Sequence, residues 1–489
     1  MGLWFRRNDT KVQATLNFMM NTRKAIQFLF ILPSIFLFSC AKQLDRSPSS
    51  VDTAVHVMSL TIDATEFVLL PASTRQLSVN FTPANADNRH LSWSSSDAAI
   101  ATVNTSGLVT TIRAGTANII AMSEDNGSVQ GIARLNVLND FDVYAAGSGF
   151  TPDFSGVALY WKNGVKSGLP GGYLVGSNAF AIFLVGNDVY IAGNTLNSNF
   201  WDIPTYWKNG VPHVVGDATV SYNSYTKAIA VDNNKVYVAG YSYFSSECPT
   251  YCFGRTRASY WVDDAGTITH VSLCDSISAT SASGIALNGN DIIVTGAQTT
   301  DNTYRWSTFW KNDLTNAMPL TTPSGTSTFD EATAVKLHGT DLFFTGYTAC
   351  GDYGCVPTAK LWKNNMNNVI EITDGTKAAK AYCVAFSGDT IYVGGYENNE
   401  AGKRVAKYWK IANGHISSRT LSDGTIDTEV DGIDVAGNDI FLIGTQITDV
   451  GSSTAKCWRA YEGFPTGPSL DLSDFYVRDG YTGSAICVK

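Results

Sequence analysis

The sequence predicts an all-β protein whose larger part is a seven-bladed β-propeller, and three observations carry that prediction. Gly, Thr, Ser, Tyr and Trp are frequent, and apolar residues alternate with polar ones in short runs bounded by turn residues, as half-buried strands do. The segment GNDVYIAG (186–193) returns as NNKVYVAG, GNDIIVTG, GTDLFFTG, GDTIYVGG and GNDIFLIG, ending at Gly193, Gly240, Gly296, Gly346, Gly395 and Gly444, with an earlier copy, DVYAAG, ending at Gly147. A Trp motif before a polar turn follows each copy, at Trp161, Trp207, Trp261, Trp310, Trp362, Trp409 and Trp458. The step between glycines is roughly 50 residues, the length of a four-stranded propeller blade rather than of a helical solenoid repeat.

Taken in order, the chain begins with a basic pair, Arg23-Lys24, followed by the apolar run 26–37. That run is short for a bilayer span, and its charged flank reads as an export signal, residues 1–39, for which Met20 is a natural start. It ends in Leu37-Phe38-Ser39-Cys40, which resembles the bacterial lipobox. The resemblance implies that Cys40 is acylated and becomes the first mature residue, so the membrane is expected as a partner through a lipid anchor, and the location is expected to be the cell envelope, at the outer membrane or cell surface. The alternative is a plain signal peptide with an incidental cysteine. Residues 40–56, with Ser47-Pro48-Ser49-Ser50, read as a tether.

Residues 57–139 alternate apolar and polar positions through several short strands. Leu77 before Pro83, Trp93-Ser94-Ser95-Ser96-Asp97, Ala101-Thr102-Val103, Ser106-Gly107-Leu108-Val109 and Ala114-Gly115-Thr116-Ala117 resemble the group 2 bacterial immunoglobulin-like family. The resemblance implies a β-sandwich module of surface proteins, often a spacer, with no catalytic motif. The segment holds no cysteine, so Trp93 and the aliphatic positions are expected to fill its core without a bridge.

Residues 140–489 then read as the propeller. Each repeat parses into an inner strand, a second strand ending at the repeated glycine, a third carrying the Trp motif, and a fourth after an Asn-Gly-like turn. The first repeat lacks an inner strand, and the C-terminal SAICVK (484–489) matches TKAIAV (226–231) and supplies one. Ring closure by the last strand follows, and closure removes exposed edges. The first-to-second and third-to-fourth connections are tight, so the long second-to-third and inter-blade loops share the opposite face, where recognition is expected. Trp201, Tyr243, Tyr304, Trp306, Tyr347, Tyr353 and Tyr396 are the ligand-binding candidates there, because flat rings beside Asn, Ser and Thr suit glycan or peptide surfaces. The competing explanation is that these rings pack loops together.

The formal charge of −9 moves to about −13 without residues 1–39, and a net acidic body excludes nucleic acid as an expected partner. Export permits disulfides. Cys248 with Cys252 and Cys350 with Cys355 are the local pairs expected to bridge; zinc is the weaker rival, since no histidine stands near at ligand spacing. His213, His270 and His415 fall on separate outer strands, and no metal or cofactor is expected. The repeated Trp is read as inter-blade core, and Asp188, Asp291, Asp341 and Asp439 as turn residues. By repeat alignment Lys227, Ser283, Thr333, Tyr382, Asp431 and Ser484 enter the ring axis on the loop face, with Glu331, Glu429 and Arg478 nearby, a sparse set. The sequence has neither the Asp-box of sialidases nor a Gly-x-Ser-x-Gly elbow. The favoured reading is a non-catalytic envelope lipoprotein that binds or adheres to a glycan or protein. A carbohydrate-active hydrolase or lyase using Glu331, Glu429 or Asp431 as acid and base is the alternative, and a structural or assembly scaffold a third.

Overall fold

The computed structural model describes residues 54–139, 141–150, 156–171, 176–217, 219, 222–243, 256–273, 279–299, 305–321, 329–349, 356–447, 453–461, 470–471 and 482–489. Cys40, the cysteines at 248, 252, 350 and 355, Tyr304, Tyr353 and Arg478 lie outside the described residues.

The N-terminal module is a β-sandwich. One sheet orders Glu66–Leu69, Gln130–Val137, Gly115–Ser123 and Leu91–Ser95; the other orders Thr74–Gln76, Leu108–Thr111 and Ala101–Val103, with Ser59–Ile62 and Val79–Thr82 as an extra pair. Alternate residues point inward, so Phe67, Leu77, Ile100, Val109, Ile119 and Leu135 form the core, with a half-buried Trp93 against it. Gly107 has φ +82°, and a Cβ there would meet the Trp93 ring at 2.7 Å, which explains why the turn before Leu108 carries glycine.

The rest of the described chain forms seven four-stranded antiparallel sheets, each running inner to outer. The second sheet is Ser177–Val185, Asp188–Leu196, Asp202–Lys208 and Val211–Val214. The third to seventh repeat the plan, with inner strands Ser224–Asp232, Ala279–Asn288, Glu331–His338, Ala379–Ser387 and Asp427–Ala436. In the first sheet the inner strand is C-terminal: Thr482–Val488 pairs antiparallel with Val143–Phe150. Gly432 of the seventh inner strand approaches this strand as Gly284 of the fourth approaches the fifth: a Cβ on either would lie 3.1 Å from a neighbouring Cα, of Ala485 and Ala334 respectively.

Apolar clusters join each sheet to the next, because a radial sheet has two buried faces. The Trp of each sheet faces the preceding one: Trp207 packs with Tyr144, Ala146 and Ala158 of the first, and Trp362 with Ile293 and Phe309 of the fourth. Trp161 of the first sheet packs in the same way on Phe441 and Ile443 of the seventh. The Trp motif is therefore core. Cys383 and Cys457 are buried in strands as small hydrophobes.

The repeated aspartates do more than make turns. Asp188 accepts from the Asn209 amide (2.8 Å) and pairs with Lys208 (3.3 Å), while the Asn209 side-chain oxygen accepts from the Val189 backbone N–H (2.9 Å). Asp142 with Lys162 and Asn163, Asp291 with Lys311 and Asn312, and Asp341 with Lys363 and Asn364 repeat the clasp. Each such Asn has positive φ, between 49° and 68°. The third strand's exit is thus pinned to the second strand's start. The seventh sheet departs from the pattern: buried Asp439 pairs instead with Arg459 (2.8 Å), which also donates to the Asn139 carbonyl (2.6 Å), where the sandwich segment ends.

Candidate functional site

The glycine that reveals the repeat also builds the site. In the second to seventh sheets, a Cβ on Gly193, Gly240, Gly296, Gly346, Gly395 or Gly444 would overlap a carbonyl oxygen of the neighbouring inner strand, at Asn178, Tyr225, Ser281, Glu331, Lys380 and Glu429. That close approach goes with a β-bulge: the inner-strand register skips one residue beside each of these glycines. The skipped residues are Phe180, Lys227, Ser283, Thr333, Tyr382 and Asp431, and the C-terminal strand skips Ser484 against Ala146 and Gly147. All seven keep partial exposure while their neighbours in the strands are largely buried. Equivalent bulges re-aim one side chain per sheet at the end of the inner strands from which the long loops leave.

Two residues before three of the bulges stand Glu331, Lys380 and Glu429, and the two glutamates draw in arginines from the start of the preceding sheet's third strand. Arg305 of the fourth sheet pairs with Glu331 of the fifth (3.2 Å) and donates to the Ser281 hydroxyl (3.2 Å). The Glu331 carboxylate also accepts from Ser283 (3.3 Å) and from the Tyr347 hydroxyl (3.1 Å). Arg404 of the sixth sheet pairs with Glu429 of the seventh (2.6 Å). Asp431 accepts from Thr445 (2.8 Å); its carboxyl keeps some open area but is walled in by protein, and this burial, with Glu429 beside it, holds its pKa well above the usual carboxylate range. Lys227 lies 4.7 Å over the Phe180 ring and Lys380 3.9 Å over the Tyr347 ring, and burial lowers the pKa of both.

The mouth is therefore richer than the sparse set expected, since Arg305, Lys380, Arg404 and Tyr241 join it. Lys380 carried a usable signal, because repeat alignment puts it level with Glu331 and Glu429. The arginines follow loops of unequal length, where alignment loses register. A cavity of about 370 Å³ opens here, lined by Lys227, Tyr241, Tyr243, Ser283, Arg305 and Glu331 among others. Beyond the bulges the channel turns apolar: a second cavity of about 740 Å³ is lined by Ile182, Ile229, Ile285, Val335 and Ile486, with one ion pair, Lys336 to Asp434 (3.7 Å).

Of the ring candidates, Trp201 is half-buried beside an exposed Phe200, in a turn closed by hydrogen bonds between residues 197 and 201. Tyr243 is exposed and lines the mouth cavity, and Trp306 is half-buried in the third strand of the fourth sheet. Tyr347 and Tyr396 differ from the expectation of exposed loop rings. Both lie inside second strands, near their ends, and are buried, at 9% and 7% exposure, because their place opposite Glu331 and Lys380 folds them into the mouth's wall. His213 stacks on Tyr206 (4.7 Å) and His270 on Trp261 (5.2 Å), each on its own sheet's outer strand, as is His415. Among the described residues no group of three or more His, Cys, Asp or Glu could hold a metal, and no helix is long and apolar enough to cross a membrane.

Compared with known proteins, residues 56–133 match the bacterial Ig-like domain (group 2) family. An uncharacterized protein of Clostridium acetobutylicum is 32% identical over 116 residues, which is 24% of this chain and 12% of that protein. Among solved structures, a Mycobacterium tuberculosis puromycin-hydrolyzing peptidase aligns at 9% identity and a TM-score of 0.41, over 84% of this chain and 58% of its own. A structure from a study of two prolyl endopeptidases aligns at 11% identity and a TM-score of 0.42, over 76% of this chain and 49% of its own. The chain thus spans a small part of the sequence relative and about half of the structural ones.

Proposed function

We propose that this is a bacterial envelope protein, anchored through Cys40 and carried on an Ig-like module, whose propeller binds a ligand at its loop face without transforming it. The observation that carries the reading is the state of the two axial glutamates. Glu331 is held by an arginine, a tyrosine and a serine, and Glu429 by an arginine at 2.6 Å. A carboxylate whose lone pairs are already occupied is a poor base or nucleophile but a rigid wall. The surface placement is supported by the match to the bacterial Ig-like family, and the ligand class by rings beside hydroxyls at the mouth.

One observation favours the second reading, a carbohydrate-active hydrolase or lyase: Asp431, two residues from Glu429, is biased toward its protonated form, as a general acid would be. The test that separates the two is an array of glycans and peptides probed with the intact protein, followed by product analysis of whatever binds. Stable retention without product, weakened by Trp201→Ala or Trp306→Ala, supports the binder. Turnover abolished by Asp431→Asn with binding kept replaces it with the enzyme.

A further inference from the structure

Two lysines in the mouth have no direct ion-pair partner among the described residues. Among the described residues neither Lys227 nor Lys380 makes an ion pair or hydrogen bond; each ammonium instead lies over a ring. Both feel Glu331, which is already bound by Arg305; Lys380 also feels Glu429, which is bound by Arg404, and is opposed by the two arginines. Lys227, Lys380, Arg305 and Arg404 thus stand with three carboxylates, Glu331 and Glu429, each in an arginine pair, and Asp427 beside Arg404, while burial biases Asp431 toward neutral. Half-buried like charges without partners are costly, and an anion entering the mouth relieves that cost. The region is positive on a protein whose formal charge is −9, so it is a local feature and not the tone of the surface.

The walls say what kind of anion. Ser281, Ser283, Thr280, Thr299 and Gln298 line the cavity with hydroxyl and amide groups, and its aliphatic contribution is limited to three alanines. Tyr241 and Tyr243 stand edge to face (6.0 Å) on one side and supply a stacking surface. A peptide side chain would want apolar walls, whereas a sugar ring wants one flat face and many hydrogen-bonding neighbours. A volume of about 370 Å³ accommodates one sugar unit with its substituents.

We propose that the axial mouth binds the carboxylate of an acidic sugar, with Lys227 as its contact, Lys380 adding to the field, and Tyr241 or Tyr243 under the sugar ring. This deepens, and rests on, the reading of the loop face as a binding surface.

The test is calorimetry on the full chain with glucuronate, galacturonate and N-acetylneuraminate, each beside its methyl ester, and with N-acetylglutamate and inorganic phosphate. The expected result is at least one acidic sugar binding tenfold or more tightly than its ester, weakening with salt. Lys227→Gln should lose tenfold or more at unchanged melting temperature, and Lys227→Arg should recover most of it. Equal binding of acid and ester, or full binding by a folded Lys227→Gln, overturns the proposal. Preference for N-acetylglutamate or phosphate over every sugar overturns the sugar assignment. A neutral ligand lost in Trp201→Ala but kept in Lys227→Gln overturns this inference while leaving the loop-face reading standing; no binding by any probe, acidic or neutral, overturns both.

Discussion

Ile486 decides whether the last strand carries the same load as every other inner strand. Two residues after each bulge stand Ile182, Ile229, Ile285, Val335, Val384, Ile433 and Ile486, all between 5% and 8% exposed, Ile285 at 7% and Ile486 at 5%. Ile486 packs with Val143, Ala145 and Phe441, so it touches both the first and the seventh sheet. Truncating a buried isoleucine to alanine loses its transfer free energy and leaves a cavity, together about 2 to 4 kcal/mol at such burial. If the C-terminal strand closes a ring, Ile486→Ala and Ile285→Ala should cost about the same, since both sit between two inner sheets. If the last strand were a loosely laid tail, fraying would precede unfolding and Ile486→Ala would cost about 0.5 kcal/mol or less. The assay is denaturant unfolding followed by Trp fluorescence, comparing midpoints at common slope. A near-parental Ile486→Ala beside a clearly destabilised Ile285→Ala would refute closure by this strand.

Trp207→Ala, at a fully buried position between the first two sheets, should cost about 3 to 5 kcal/mol, whereas Trp201→Ala should stay within about 1 kcal/mol of the parent; the same unfolding curves measure both. Asp431→Asn should stabilise the protein at neutral pH, because it removes a carboxylate whose charged form burial and Glu429 disfavour. The sign follows from linkage: the stability contributed by the raised pKa is fully present below the unfolded value near 3.9 and is lost as pH rises through the folded one. The melting-temperature advantage of Asp431→Asn should therefore shrink to nothing near pH 3, and an advantage that persists there contradicts the assignment. Cys40→Ala should leave the exported body folded but shift it from the membrane to the soluble fraction, read by detergent partitioning.

The sheets were legible because their signals are local and repeated: the glycine, the Trp motif and the turn residues recur about every 50 residues, and so does the radial packing they specify. The C-terminal strand was legible for the same reason, since SAICVK matches TKAIAV. What the repeated glycine meant was less legible. In the sequence it marks only the end of a strand; in the structure it has a steric reason, a carbonyl where its Cβ would be. The Asp-Lys-Asn clasp was half visible, its aspartates read as turn makers because each precedes its lysine and asparagine by about 20 residues. The mouth was the least legible part. Arg305 and Arg404 act on glutamates of the next sheet, and pairing across sheets leaves no periodic trace. Tyr347 and Tyr396 look like loop residues in the sequence because each follows a repeated glycine, whereas the strand continues past them.

The division between repeated and unrepeated positions has a physical cause that bears on function. The glycine, the Trp and the Asp clasp are each fixed by a contact the fold needs: a carbonyl, a neighbouring sheet, a strand exit. The bulged residue is less tightly fixed in its side chain, although Thr333 donates to the Ala381 carbonyl of the next sheet and Asp431 accepts from Thr445. Its backbone is specified by the glycine opposite, and its side chain faces the channel, so the seven sheets carry Phe, Lys, Ser, Thr, Tyr, Asp and Ser there. Seven identical residues would make a pseudo-symmetric pore, positive or negative all round. Seven different ones make a single lopsided surface, with Lys227 and Phe180 on adjacent sheets and Tyr382 and Asp431 on another adjacent pair. An asymmetric ligand can be held in one orientation only by such an uneven ring. Chemistry that a repeat scaffold can vary without disturbing its packing is therefore concentrated at the axial mouth, and substitutions among the bulge residues should change what is bound far more than they change whether the chain folds.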